Sequence, residues 1–458
     1  MMEYFPDFLR PERVTSLAQA ALDKRGEYLV YVMDASLRAY GNHALEYAVF
    51  EANRLGRSLV VVYNLDEKQP FMNTRKLHFI HGALKKVDER LSRRGILFLV
   101  RKTESLLKLV NEAVSVVVDA GYTGHQQTFR KTLAKYCDSV KMVEGDVVVP
   151  VKTASTRAEP YARTIRPKLL NKLDNFLETV PEIPVKQSST DLDIEGLRYE
   201  TFEHLLKDFG SIEFVEPVKD VVGGEDEAHK RLETFVGERL DRYAAERSDP
   251  GSEACSELSP YLRYGMISPV QVLKRVFEYR RRGDVNVESL INELVVWREL
   301  ARNGEVYNPF FEKYEGLPEW ARETLSIHAG DRREQVYSMS ELERADTHDV
   351  YWNAAQQELL ATGKIHNYMR MYWCKKLLEW TDSPETAYRY AVYLNNKYGL
   401  DAEDPNSYLG ISWCFGAYDR PFTESKIYGK VRRMTDQSLK RKKQINNYIQ
   451  RWSAPAGI

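Results

Sequence analysis

Residues 347–413 carry the side chains best suited to moving electrons. Trp352, Trp373, Trp380 and Trp413 lie in this stretch, four of the seven tryptophans in the chain. Trp373 and Trp380 are seven residues apart in a segment free of Gly and Pro. On a helix this puts both on one face with a rise of roughly 10 Å, a short hop for an electron. Two core anchors would be spaced in the same way, and periodicity alone leaves both readings open. A second pair, Glu293 and Trp297 in ELVVWREL, is four apart and shares a helical face. The ordinary reading is a core tryptophan and a surface glutamate. A carboxylate beside a flat aromatic also suits a pocket for a planar, hydrogen-bonding ligand. In SELSP, Ser256, Ser259 and Pro260 precede an apolar run. This helix-start signal suits a phosphate or pyrophosphate, with Arg247 to add charge, although capping serines mostly just cap.

Residues 426–451 hold nine Lys/Arg against the single acid Asp436, with KRKK at 440–443 the densest part. The asymmetry fits either a solvated face or contact with a nucleic-acid backbone. Cys137, Cys255, Cys374 and Cys414 are scattered, with no CxxC pair. That argues against a disulfide framework and a zinc site and fits a reducing compartment. Net charge is −1, so a nucleic-acid role has to come from local patches. No segment has the length and apolarity of a signal peptide or a membrane span, so an intracellular, cytoplasmic protein is expected.

These residues need a scaffold, and 458 residues suggest more than one domain. Apolar runs at 28–33, 59–63, 96–100 and 114–118 read as strands buried on both faces, with 141–143 a fifth, edge-like strand. Amphipathic segments at 42–55, 74–94 and 104–113 alternate with them. The expectation is a doubly wound α/β domain with a parallel five-stranded sheet, its core over about 20–150 and its extent 1–180. The first strand leads into MDASLRAYGNH without a glycine-rich phosphate fingerprint. Asp34, Ser36, Arg38 and Asn42 could line a crevice beyond the strand ends, and His43 reads as a helix-start residue. Residues 146–168 read as a solvated connection and 181–224 as an interdomain linker, the Pro- and Ser-bearing 181–193 its clearest part. Residues 225–458 are expected to form an all-helical domain.

Taken together, several motifs resemble the photolyase/cryptochrome flavoproteins, and within them the class II cyclobutane pyrimidine dimer photolyases. The motifs are VPVKTAS…YARTIRPK (149–168), ELSPYLRYGMISP (257–269), ELVVWREL (293–300), THDVYWNAAQ (347–356), GKIHNYMRMYWCKKLLEW (363–380), YLNNKYGLDAEDPNSYLG (393–410) and GKVRRM (429–434). The resemblance is dense from residue 240 on and thin before 145. It implies a light-driven DNA repair lyase with FAD in the helical domain. In that reading Tyr243, Arg247, Ser256, Leu258 and Ser259 hold the pyrophosphate. Asn395 faces flavin N5, Arg370 and Asp401 form a salt bridge over the isoalloxazine, and Asn406 lines the same site. Glu293 bonds the pyrimidine dimer, and Trp297, Met371 and Trp413 pack against its bases. Trp373, Trp352 and Trp380 relay electrons to the flavin, Trp380 outermost. Lys430, Arg432, Arg433, Lys440 and Arg441 contact DNA phosphates.

The resemblance further implies an antenna in the α/β domain, a deazaflavin or alternatively methenyltetrahydrofolate. UV-damaged DNA is the partner, a monomer is expected, and neither metal nor membrane is implied. The chain departs from the family pattern at MDASLRAYGNH, which leaves the antenna less secure than the flavin, and at Ser248, Gly304 and Phe422. A cryptochrome-like photoreceptor without repair, or a flavin-free DNA-binding helical protein, are the other readings. The presence together of Glu293, Trp297, Met371 and Trp413 favours repair.

Overall fold

The computed structural model describes residues 5–19 and 26–453. Its sheet contains β1 (Val14–Gln19), β2 (Tyr28–Met33), β3 (Ser58–Asn64), β4 (Leu97–Arg101), β5 (Ser115–Asp119) and β6 (Ser139–Val143), in the order β1-β6-β5-β2-β3-β4. The five strands β2 to β6 are parallel, and β2, β3 and β5 are buried along their whole length. Such burial explains their unbroken apolar runs. The sheet has six strands rather than the expected five. β1 joins antiparallel to β6, so β6 is an interior strand and not an edge. With the sequence VTSLAQ, β1 mixes polar and apolar residues, and its register shifts between Ser16 and Ala18, so it carries no apolar run to read.

Four helices flank the sheet: His43–Leu55, Thr74–Arg93, Thr103–Asn111 and Gly124–Tyr136. Asn42 caps the first through its side-chain oxygen, which accepts from Ala44 N and Leu45 N. Strand order reverses between β2 and β5, the point at which ligands of such sheets usually sit.

Residues 181–224 pack along the β4 side of the sheet. Ser189 Oγ donates to Leu59 O (2.5 Å) and accepts from Leu97 N (2.7 Å), and Leu197 N donates to Val100 O (2.7 Å). The segment covers an otherwise open sheet edge. Its helix Phe202–Phe209 buries Leu205 and Phe209.

Residues 146–168 are not the solvated connection their composition suggests. Val147, Val148 and Val149 are fully buried, and Glu299 of the helix Arg298–Tyr307 accepts from Val148 N (2.5 Å) and Val149 N (3.2 Å). Asp146 bonds Arg298 (2.6 Å) and Arg302 (3.1 Å), and Arg302 continues to Asp404 (2.9 Å). These buried pairs fasten the sheet to the helices, because a lone charge at such depth would cost several kcal/mol. Arg157, Arg163 and Arg166 remain exposed, which explains the segment's polar appearance.

The rest is helical. Val350–Thr362, Asn367–Trp380, Pro384–Tyr398, Pro405–Cys414 and Ile445–Trp452 enclose a second core around Trp352, Trp373 and Trp380. No helix among the described residues is long and apolar enough to cross a membrane.

Candidate functional site

A cavity of about 550 Å³ opens within the helical half, a volume in the range of cofactor pockets. Its wall includes Tyr243, Arg247, Ser256, Leu258, Ser259, Arg370, Asp401 and Asn406, residues spread over more than 160 positions of sequence. Arg370 Nη2 donates to both oxygens of Asp401, at 2.9 and 3.0 Å, and Ser259 Oγ donates to Asp401 Oδ2 at 2.9 Å. The expected Arg370–Asp401 ion pair is therefore formed. Ser259 starts the short helix Ser259–Arg263 and spends its hydroxyl on Asp401 instead of capping.

Asn395 stands just behind the lining. Its Nδ2 donates to Ser407 Oγ (3.0 Å), next to Asn406, and to Asn396 Oδ1 (3.1 Å). Its Oδ1 is buried without a partner, as is Arg370 Nε. Orphaned buried groups of this kind are costly and point to a missing partner. An N–H donor would satisfy Asn395 Oδ1, and a flavin's N5–H is one.

Basic residues of the lining are paired with its acids. Lys364 pairs with Glu257, and Arg451 lies 3.2 Å from Glu253. Lys364 also faces Glu358, whose carboxyl is pushed up by burial and accepts from Tyr448 Oη (2.6 Å) and His366 N (2.9 Å). Burial first, then Lys364, lowers His366 to about 4, so its imidazole is neutral at pH 7. Arg231, Arg239, Lys364 and Arg451 share this lining and carry donors of the type that a pyrophosphate takes. Arg231 and Arg239 are isolated basic residues without a local pattern, while Lys364 and Arg451 lie in stretches whose sequence pointed to other roles. The C-terminal helix Ile445–Trp452, assigned with the tail to DNA, contributes Arg451 and Trp452 to the cavity wall and buries Tyr448.

Glu293 lies on the rim of the same cavity. It belongs to a wide, π-type turn, Asn292–Trp297, set into the helix that continues as Arg298–Tyr307. Leu294, Val295 and Val296 point into the core while Glu293 and Trp297 stay half-buried. Such turns occur often at functional sites. Arg247 Nη2 lies 2.9 Å from Glu293 Oε1, and Arg247 Nε donates to Ser289 Oγ (3.0 Å). The arginine expected at the pyrophosphate is thus held on the carboxylate expected at the dimer. Trp297, Met371 and Trp413 are half-buried and stand outside the cavity lining.

The three core tryptophans form one contiguous path. Trp352 and Trp373 stack with centroids 6.0 Å apart and an interplanar angle of 10°. Trp352 meets Trp380 edge-on at 5.5 Å. Trp373 and Trp380 share a helix face, and Trp352 from the helix Val350–Thr362 bridges them. Trp352 Nε1 donates to Trp373 O (2.9 Å) and Trp373 Nε1 to Gln356 Oε1 (3.0 Å), which fixes both rings. Trp380 contacts Tyr337 and His348, at 5.3 and 5.5 Å.

Lys430, Arg432, Arg433, Lys440 and Arg441 are all exposed. Arg433 pairs with Glu379 (3.4 Å) and Lys440 with Asp436 (2.7 Å). Phe422 lies between two guanidinium groups, Arg420 at 5.4 Å and Arg432 at 4.9 Å. Gly304 has a packing cause: a Cβ there would fall 2.2 Å from Phe311 Cε2 and 2.8 Å from the Tyr418 hydroxyl. Ser248 is exposed and accepts from Lys442 Nζ (3.2 Å).

Beyond the strand ends at the sheet's reversal point the space is about 50 Å³. Its walls pair with one another: His125 Nε2 with Asp66 Oδ2 at 2.8 Å, and Gly124 N with Glu312 Oε1 at 2.8 Å. Asp34 lies there, raised to about 7 by burial. Arg38, Asn42 and the backbone at Ser36 are consumed by bonds within the fold. Asp34 Oδ2, in this crevice, is buried without a partner.

Residues 29–185 match the DNA photolyase family model. A deoxyribodipyrimidine photo-lyase of Methanothermobacter thermautotrophicus is 41% identical over 97% of this chain and 98% of the relative. The chain belongs to the DNA photolyase family. Deoxyribodipyrimidine photo-lyases of Arabidopsis thaliana and Potorous tridactylus are each 32% identical, over 96% and 94% of this chain and 92% and 82% of their own. Among solved structures, a class III photolyase from Agrobacterium tumefaciens superposes with a TM-score of 0.70 at 18% identity, over 96% of this chain and 88% of that one. An archaeal photolyase from Sulfolobus tokodaii, described with two FAD molecules, gives 0.68 at 17% identity, over 93% and 89%. At these identities the superpositions establish the shared fold, a mainly parallel sheet followed by a helical half.

Proposed function

We propose that this photolyase-family protein is a class II deoxyribodipyrimidine photo-lyase, which uses light to split cyclobutane pyrimidine dimers in DNA. The observation that carries the proposal is a single cavity wall holding both the flavin-type set, Arg370–Asp401 with Asn395 behind it, and the carboxylate Glu293 on its rim. The class assignment rests on the 363–380 and 393–410 motifs.

FAD fits the cavity, and in its reduced, photoexcited form it supplies the one electron that opens the cyclobutane ring. The protein's own groups do the rest. Arg231, Arg239, Lys364 and Arg451 would hold the pyrophosphate, and Asn395 Oδ1 would accept a hydrogen bond from flavin N5–H, stabilising the reduced state. Arg370 places positive charge beside the ring system, balanced by Asp401. Glu293, freed from Arg247 or shared with it, bonds the pyrimidine carbonyl region where charge develops. Trp297, Met371 and Trp413 offer apolar surface to a dimer flipped from the duplex, which stacks poorly and leaves cheaply. Lys430, Arg432, Arg433, Lys440 and Arg441 bind the flanking phosphates, so affinity falls with salt. Trp380, Trp352 and Trp373 carry an electron inward in that order.

The test is Glu293→Ala in flavin-loaded, reduced protein. Flavin content should hold while repair per absorbed photon drops several-fold. An unchanged yield removes Glu293 from the site.

A further inference from the structure

Lys375 is one of the most deeply buried cations in the helical half, at 1% exposure, and it pairs with no carboxylate among the described residues. It sits one turn beyond Met371 on the helix Asn367–Trp380. Its Nζ donates to Cys414 O at 2.9 Å and lies 4.9 Å from the centroid of the Trp413 ring. Tyr428 Oη donates to Lys375 O at 2.9 Å and fixes the backbone from the opposite side. A buried ammonium without a counter-ion is expensive, and a methionine would fill the same volume without that cost. A carbonyl and an indole face are the compensation the fold provides. Trp413 itself is half-buried, and the exposed Arg432 guanidinium lies 6.0 Å from the same ring centroid, so the buried Lys375 is the nearer of two cations on it.

We propose that Lys375 is a positioning residue for the repair step, acting through Trp413. It clamps the indole from behind and sets a full positive charge behind the surface on which a pyrimidine dimer stacks. The inference rests on the proposed function, specifically on Trp413 as a dimer contact. The dimer gains one electron from the reduced flavin, its two inter-base C–C bonds break in turn, and the electron returns to the flavin, so net redox change is zero. A cation behind the indole favours the stage at which the dimer carries the negative charge, and it favours no stage at which the dimer is neutral. At roughly 8 Å, a charge alters such a step by about twofold when screened as in water and by about thirtyfold at an effective dielectric near 20.

The experiment uses full-length, flavin-loaded, reduced protein and a single-stranded oligonucleotide carrying one thymine dimer. Repair yield per absorbed photon is read at saturating substrate, with dimer affinity measured separately. Lys375→Met should lower the yield per bound dimer threefold or more at unchanged flavin content, and Lys375→Arg should restore most of it. A loss of affinity alone, with the yield per bound dimer intact, means that Lys375 merely supports Trp413 and overturns the proposal.

Should Lys375→Met fail to fold, the pH profile of the unmodified protein decides. Desolvation lowers the Lys375 pKa, against Cys414, Cys374 and Asp419, which raise it, and alongside Arg432, which also lowers it. The yield should fall as pH rises, at a pH below that at which a solvated lysine loses its proton, and Cys414→Ser should keep that inflection. A flat profile, or an inflection abolished by Cys414→Ser, also overturns the proposal. If the unmodified protein repairs no dimers at all, it is the proposed function that fails.

Discussion

The two halves of this molecule treat their open spaces in opposite ways. The sheet's reversal point is where an α/β fold would take a ligand, yet its walls are knitted to one another through His125–Asp66 and Gly124–Glu312 around about 50 Å³. The helical half keeps about 550 Å³ and leaves Asn395 Oδ1 and Arg370 Nε unsatisfied beside it. Asp34 Oδ2 in the crevice is also buried without a partner, so what separates the two spaces is volume, not the satisfaction of polar groups. Only the larger cavity has room for a cofactor-sized group that would complete its orphaned atoms.

The helical half depends most on its tryptophan path. Trp352→Phe removes the ring that bridges Trp373 and Trp380. Photoreduction of oxidised flavin should fall by orders of magnitude in flash spectroscopy, while chemically reduced protein still repairs. Trp373→Phe should do the same. Persistence of photoreduction in either variant would show that electrons enter by another route.

A paired substitution sharpens the contrast between the two spaces. Arg370→Leu strands Asp401, and leaving a buried charge unpaired costs about 3–5 kcal/mol, so flavin affinity should drop at least a hundredfold in a retention assay. His125→Ala in the sheet crevice should leave flavin affinity within about twofold. Equal losses would erase the distinction.

A smaller effect concerns the junction of the halves. Glu305 is buried beside Glu312, and burial followed by that neighbour pushes its carboxyl up to about 10. Between its unfolded value near 4.5 and about 10, the folded state binds the extra proton, so this group lowers stability as pH rises through that window. Glu305→Gln should stabilise the fold more at pH 8 than at pH 5, by at most about 1.4 kcal/mol per pH unit, read as a larger rise in melting temperature at pH 8. A gain independent of pH would mean that the two carboxyls do not share this coupling.

Legibility in the sequence followed burial. β2, β3 and β5 were readable because burial on both faces demands unbroken apolar runs, whereas β1, half-polar and bulged, left no such trace. The helix Gly124–Tyr136 escaped notice because it buries only a narrow stripe, Phe129, Arg130 and Leu133. Trp373 and Trp380 could be placed on one face from spacing, but Trp352 as their bridge required two helices to pack. The tail misled in part: its charge is exposed as expected, yet Tyr428 and Tyr448 are core residues and Arg451 turns to the cavity. Arg247 illustrates the deeper limit, since no sequence spacing tells which of two nearby anions an arginine will choose.

The most direct measurement is light-dependent repair. Protein carrying reduced FAD is mixed with an oligonucleotide containing one thymine dimer and illuminated with near-UV or blue light, with a dark control. The account predicts intact thymines restored in the light only, with the flavin unchanged in redox state at the end. Dimers left intact by fully loaded, fully reduced protein would contradict it.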